Sequence, residues 1–99
     1  MLITEKHLHN LLNYMSNISL DDCIFLCMRN NEWWTFWDLQ KVIKQNTGKF
    51  YGEPTISAGI RNMRKPPAIK KYKLPQDKEV IIKKRIAGGK GYKYRLITE

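Results

Sequence analysis

A mainly helical α+β domain is predicted by three features of this 99-residue chain. Apolar residues recur at helical spacing up to residue 65, they alternate at period two after residue 79, and a glycine-rich turn, Ala87-Gly88-Gly89-Lys90-Gly91, separates two alternating runs. A single core suffices at this length, since such domains hide roughly two-thirds of their unfolded surface. The charge is divided unevenly: residues 54–99 carry 13 of the 18 Lys and Arg residues against three acids, Asp77, Glu79 and Glu99, whereas residues 1–53 hold five bases and six acids. That polarity implies a body at one end and a polyanion-binding surface at the other, with nucleic acid the leading partner.

The elements follow in order. Thr4 caps an amphipathic helix over residues 4–17, with Leu8, Leu11, Leu12 and Met15 on one face at i, i+3, i+4 and i+7. Residues 1–18 are read as this helical unit and residues 19–99 as the main domain. Ser19, with Asp22 three residues on, opens a second helix that buries Leu20, Ile24, Leu26, Cys27 or Met28 and stops at Asn30 and Asn31. Glu32, Trp33 and Trp34 read as a short strand or extended link. Thr35 and Asp38 form the capping box of a third helix, which buries Leu39, Val42 and Ile43 and ends at Gly48.

Pro54 and Thr55 mark the next helix start, with Thr55 as cap. Ile56, Ile60 and Met63 face the core, which turns Ala58, Arg61, Asn62 and Lys65 outward with Thr55, Ser57 and Arg64 at the flanks. Pro66 and Pro67 end this helix. Residues 68–78, with Lys70, Lys71 and Lys73, show no apolar periodicity and read as an extended basic loop. From residue 79 a hairpin is expected, with Val80, Ile82 and Ile86 on one side and Ile81, Lys83 and Arg85 on the other; Tyr92, Tyr94 and Leu96 alternate with Lys93, Arg95 and Ile97 in its second strand.

The order helix, short strand, helix, turn, helix, basic hairpin is that of a winged helix-turn-helix domain, here with an extra N-terminal amphipathic helix and a C-terminal two-stranded β-wing. In such a domain a helix enters the major groove, where arginine suits guanine and asparagine suits adenine. Arg61 and Asn62 are the candidates for base reading, with Thr55, Ser57, Ala58, Arg64 and Lys65 beside them on the recognition helix. Lys70, Lys71 and Lys73 on the loop, and Lys83, Lys84, Arg85, Lys90, Lys93 and Arg95 on the wing, are candidates for phosphate or minor-groove contacts.

The stretch Thr55-Ile-Ser-Ala-Gly-Ile-Arg-Asn-Met-Arg-Lys-Pro66, followed by Tyr94-Arg95-Leu96, resembles small winged-helix proteins of bacteriophages and prophages. In those, Ser-Ala-x-Ile-Arg-x-Leu-Arg-Lys leads into a basic wing ending in Tyr-Arg-Leu. The resemblance runs from near Trp33 to Ile97. It implies a double-stranded DNA-binding protein, a regulator of transcription or an accessory factor in replication or recombination, working in the cytoplasm of a bacterial host. The chain departs from the pattern at Gly59, where a larger residue is usual, and in the long loop before the wing.

Other classes fare less well. The longest apolar run, residues 23–28, is six residues, short of the roughly 20 of a membrane span or about 7–15 of a signal-peptide core. Cys23 and Cys27 at helical spacing are read as buried small apolar groups and not as a disulfide or, with His7 and His9, a metal set. Neither histidine has a nearby carboxylate or nucleophile, so no catalysis, metal or cofactor is expected. The alternative function is a protein-interaction module that engages an acidic host protein as inhibitor or adaptor, because fold alone does not decide function. RNA binding ranks third and requires an exposed aromatic cluster; of Trp33, Trp34, Phe36 and Trp37, at least two are expected in the core. Leu8, Leu11, Leu12 and Met15 can pack within the chain or form the seam of a homodimer; the dimer is preferred because the fold is complete without that helix.

Overall fold

The computed structural model describes residues 18–99, which form four helices and a two-stranded antiparallel sheet. The helix expected over residues 4–17, with Leu8, Leu11, Leu12 and Met15, falls outside the described residues. Helix α1 is Leu20–Met28, α2 Phe36–Thr47, α3 Glu53–Asn62 and α4 Pro66–Lys71; strands β1, Ile81–Arg85, and β2, Tyr92–Leu96, close the chain.

Helix starts follow side-chain chemistry. Ser19 Oγ accepts the Asp22 N–H at 3.2 Å, capping α1. At α2 the box is complete: Thr35 Oγ1 accepts from Asp38 N at 3.0 Å and Asp38 Oδ2 accepts from Thr35 N at 3.1 Å. Gly48, in the left-handed region at φ 75°, ends α2 with its N–H on Lys44 O at 2.8 Å. Helix α3 begins earlier than Thr55, with Gly52 as cap and no side-chain bond. Pro54 fits inside the first turn because its missing N–H has no helical acceptor there.

Two expectations are corrected. The extended loop after residue 68 is helical at first: α3 stops at Asn62, short of the expected end at Pro66, and Pro66 and Pro67 occupy the first turn of α4. Helix α4 stops in a Schellman turn, in which Leu74 N–H reaches Ile69 O at 2.9 Å and Lys73 takes the left-handed conformation at φ 55°. The first strand of the hairpin is also one residue out of phase with the expectation, whereas Tyr92, Tyr94 and Leu96 share a face as expected. Val80 belongs to a bend preceding the strand, so both Val80 and Ile81 are buried, Ile81 pairs with Leu96, and Ile82 is 38% exposed. A single-residue slip sends each side chain of the strand to the opposite face.

The core gathers Cys23, Ile24, Cys27 and Met28 from α1, Leu39 and Ile43 from α2, Ile56 and Ile60 from α3 and Met63 from its C-cap, with Leu74, Val80, Ile81 and Leu96 closing it. Leu20 and Leu26, expected among the buried residues of α1, are only half-buried, and Cys23 takes the inward place. Burial raises both thiols, pushing Cys27 to about 12, so neither is a thiolate at neutral pH. The segment between α1 and α2 joins the sheet at one point: Trp34 and Tyr94 exchange two backbone hydrogen bonds of 2.7 Å. Phe36 stacks on Tyr94 with centroids 5.0 Å apart, and of Trp33, Trp34, Phe36 and Trp37 it is Trp34 and Phe36 that pack against the core. On the other flank, Phe25 of α1 stacks on Tyr72 at 4.3 Å.

Gly59 lies where α3 packs directly against Ile24 of α1. A Cβ at this position would run into Ile24 Cδ1 and lie 3.4 Å from Asp21 Oδ1. Mid-helix glycine costs about 1 kcal/mol relative to alanine, and the gain is close helix contact. Gly59→Ala therefore gains propensity but overpacks a closed core, which typically costs about 1–3 kcal/mol. In an Ile24→Val background the obstructing methyl is gone. Chemical denaturation of the two single variants and the double variant should show Gly59→Ala at least about 1 kcal/mol more favourable there than in the parent.

Asp22 links α1 to α4. Its carboxylate accepts from Lys71 Nζ at 2.8 Å and from the Tyr72 hydroxyl. Burial opposes its ionisation, but the hydrogen bonds from Lys71 and Tyr72, the Lys71 charge and Ser19 outweigh it and hold the pKa below the ordinary aspartate value. With the folded pKa below the unfolded one, the stabilisation is complete above about pH 4 and fades as pH falls through the folded value. Asp22→Asn should accordingly be less stable than the parent at pH 7, and the difference in urea midpoint should vanish as pH drops below about 4.

Candidate nucleic-acid interface

The corrected strand phase decides what the hairpin presents. In an antiparallel pair, residues directly opposite share a face, so Ile81 with Leu96, Lys83 with Tyr94, and Arg85 with Tyr92 form one side of the hairpin. This side looks towards α3. Between them lies a hollow of about 160 Å³ lined by Ser57 and Arg61 of α3, by Arg64 in the turn just after it, by Lys83 and Tyr94 of the hairpin, and by Phe36, Ile60 and Ile81. Arg61 is exposed and Ser57 half-buried. Burial raises the Tyr94 hydroxyl above its usual pKa, helped by nearby Tyr92, so it remains a neutral hydrogen-bonding group.

Arg64 plays a different part from its helix neighbours. Its Nε lies 3.0 Å from Glu79 Oε1, and a terminal nitrogen donates to Ile81 O at 3.3 Å. It ties the end of α3 to the start of β1, which sets the distance between helix and wing. Asn62 is likewise turned inward: its amide donates to Asp21 Oδ2 at 3.2 Å, tying α3 to α1. Thr55 is exposed in the first turn of α3, and Ala58 is half-buried.

The hairpin tip reaches further. Ile86, Lys90, Gly91 and Tyr92 line a hollow of about 360 Å³ with Thr35, Trp37 and Glu53, so the tip stands near the starts of α2 and α3. Gly88 and Gly91 turn the chain at φ 72° and 93°, values open to glycine at little steric cost.

The remaining predicted cations fall elsewhere. Lys65 and Lys71 line a separate hollow with Asp21 and Asn62, and Lys71 is paired to Asp22. Lys70 and Lys73 are exposed on and just after α4. Lys84, Lys93 and Arg95 point to the sheet face opposite α3, where they surround Trp33; Arg95 also donates through Nε to Asn31 Oδ1 at 3.0 Å. The wing cations, grouped together in the sequence, are thus split between two faces. Sequence reasoning passed over Lys41 and Lys44, which lie over Trp37 and Phe50 on the outer side of α2. The i, i+4, i+7 spacing of Trp37, Lys41 and Lys44 was the signal for them.

Among the described residues no three His, Cys, Asp or Glu side chains are grouped to hold a metal, and no helix is long and apolar enough to cross a membrane. Comparison with protein-family models, with curated proteins and with solved structures finds no match for this chain.

Lys73 offers a way to separate charge from stability. A non-glycine residue in the left-handed region costs about 1–2 kcal/mol, partly offset by the entropy a glycine loses on folding. Lys73→Gly should therefore leave stability unchanged or raise it by up to about 1 kcal/mol, whereas Lys73→Val, β-branched at positive φ, should lower it; thermal unfolding of both variants measures this.

Proposed function

We propose that this chain is a winged helix-turn-helix protein that binds double-stranded DNA, with α3 in the major groove and the β1–β2 hairpin as its wing. The observation that carries the reading is the placing of exposed Arg61 on α3 beside Lys83 of the wing, across one shared hollow. The element order supports it, with three helices, a bridging strand residue at Trp34 between the first two, a short fourth helix after α3, and a basic hairpin. The charge supports it as well, since residues 54–99 hold 13 bases and three acids, one of which, Glu79, is taken up by Arg64.

In this arrangement Arg61 reads a base edge, guanine being the partner that matches its paired donors. Thr55, Ser57 and Lys65 meet phosphates flanking the groove, while Lys83, Arg85 and Lys90 meet the backbone beside it. Asn62 and Arg64 act through the scaffold: one holds α3 against α1, the other holds the wing at its distance. The resemblance in residues 55–66 and 94–96 fits a phage-type regulator of transcription, or an accessory factor of replication or recombination.

Mobility-shift assays on duplexes selected from a random pool test this. Binding should weaken steeply with salt, as the neutralisation of roughly five to eight phosphates requires. Arg61→Ala should cost about 1–3 kcal/mol on the preferred site and relax specificity at one position. Lys90→Ala should weaken all sequences alike and reduce the salt slope by about 1. Absence of binding to any duplex at low salt would overturn the assignment.

A further inference from the structure

The aromatic rings left outside the core fall in line with cations that the α3 hollow does not include. Trp33, on the sheet face turned from α3, has Lys84 Nζ 4.5 Å, Lys93 Nζ 5.9 Å and Arg95 Cζ 6.0 Å from its ring centroid. On α2, Lys41 Nζ lies 5.0 Å from the Trp37 ring and Lys44 Nζ 6.0 Å from the Phe50 ring. Trp37 is 62% exposed and Phe50 64% exposed. Between Trp33 and Trp37 runs a groove of about 470 Å³, with Trp34 and Lys41 in its wall.

We propose that this groove is a second site, one that takes single-stranded nucleic acid, with bases stacked on Trp37 and Trp33 and phosphates held by Lys41 in the groove wall and by Lys84 and Lys93, which lie over the Trp33 ring and do not line the groove. Half-buried Trp33 and exposed Trp37, each with a cation over its ring, match the two halves of a nucleotide, since a base can take the ammonium's place on the indole face while the displaced cation meets the phosphate. A duplex keeps its base faces stacked inside, so it cannot occupy such a groove, whereas an unpaired strand can. The volume lies within the roughly 300–1,000 Å³ of small-ligand pockets, enough for a base and its sugar.

Two acids also line the groove, Glu32 and Asp38. The Asp38 carboxylate is turned to the helix start, accepting the Thr35 N–H. Glu32 is left as the acid that lines the groove with Lys41. The site does not rest on the duplex reading, because neither Trp37 nor Lys41 belongs to the α3 hollow.

Tryptophan fluorescence at low salt, with oligo-dT, oligo-U and polyglutamate titrated separately, tests the proposal. Saturable quenching by oligo-dT or oligo-U is expected, and the stronger of the two identifies DNA or RNA as the source. Trp37→Ala should weaken that binding about tenfold, the order of one lost base stack. Lys41→Gln should weaken it severalfold, and Trp37→Ala should leave duplex affinity in the shift assay at the parent value. Both side chains are exposed, and Lys41→Gln keeps a good helix former, so it carries the test should Trp37→Ala fold poorly. The proposal is overturned by absence of quenching with either oligonucleotide, by equal quenching with polyglutamate, or by parent-like affinity in the folded variants. Equal loss of single-strand and duplex binding in Trp37→Ala also overturns it, since Trp37 would then serve the duplex through the hollow it shares with Lys90.

Discussion

Two backbone hydrogen bonds between Trp34 and Tyr94 join the helical part of this protein to its hairpin, and the rest of the surface depends on them. A two-stranded hairpin is marginal by itself in water and needs a third strand or a helix to lie against. Here the link between α1 and α2 supplies that edge. The pairing places Tyr94 over Phe36, and the parity of the strand then commits each wing side chain to one face. Lys83 and Arg85 go towards α3, while Lys84, Lys93 and Arg95 go to the side where Trp33 lies.

The helices are held to the same standard of fit. Gly59 lets α1 and α3 approach until Ile24 fills the space a side chain would need, and Asp21 and Asn62 tie the two helices at the edge of that contact. At the other end of α3, Arg64 holds the start of β1. Polar side chains with the look of ligand-binding groups are thus spent on keeping helix and wing in register. This leaves Arg61 as the long exposed donor of the α3 hollow. The same logic holds at α4, where Lys71 serves Asp22.

Much of this was legible in the residues. Ser19, Thr35 with Asp38, Gly48 and Pro66 punctuate the helices through local chemistry that acts within three or four residues, and each stands where a boundary falls. The stripe of Ile56, Ile60 and Met63 is buried as its spacing implies. The misreadings have local causes too. A double proline ends one helix and opens another equally well, and alternation counted from Val80 began in a bend and not in the strand. The partners of Asn62, Arg64 and Lys71 were not legible, because these lie 41, 15 and 49 positions away in the chain, at Asp21, Glu79 and Asp22.

What the sequence determined by itself is the kind of element at most positions, the place of the helix caps, the glycine tip of the hairpin and the concentration of positive charge after residue 54. These are set by propensity, capping and composition, which operate along the chain. Only the tertiary structure decided which cations share a surface, which are bound to their own acids, and which aromatics stay outside the core. Those outcomes rest on strand register and on contacts between residues distant in sequence, where a shift of one position exchanges the inner and outer faces of the wing.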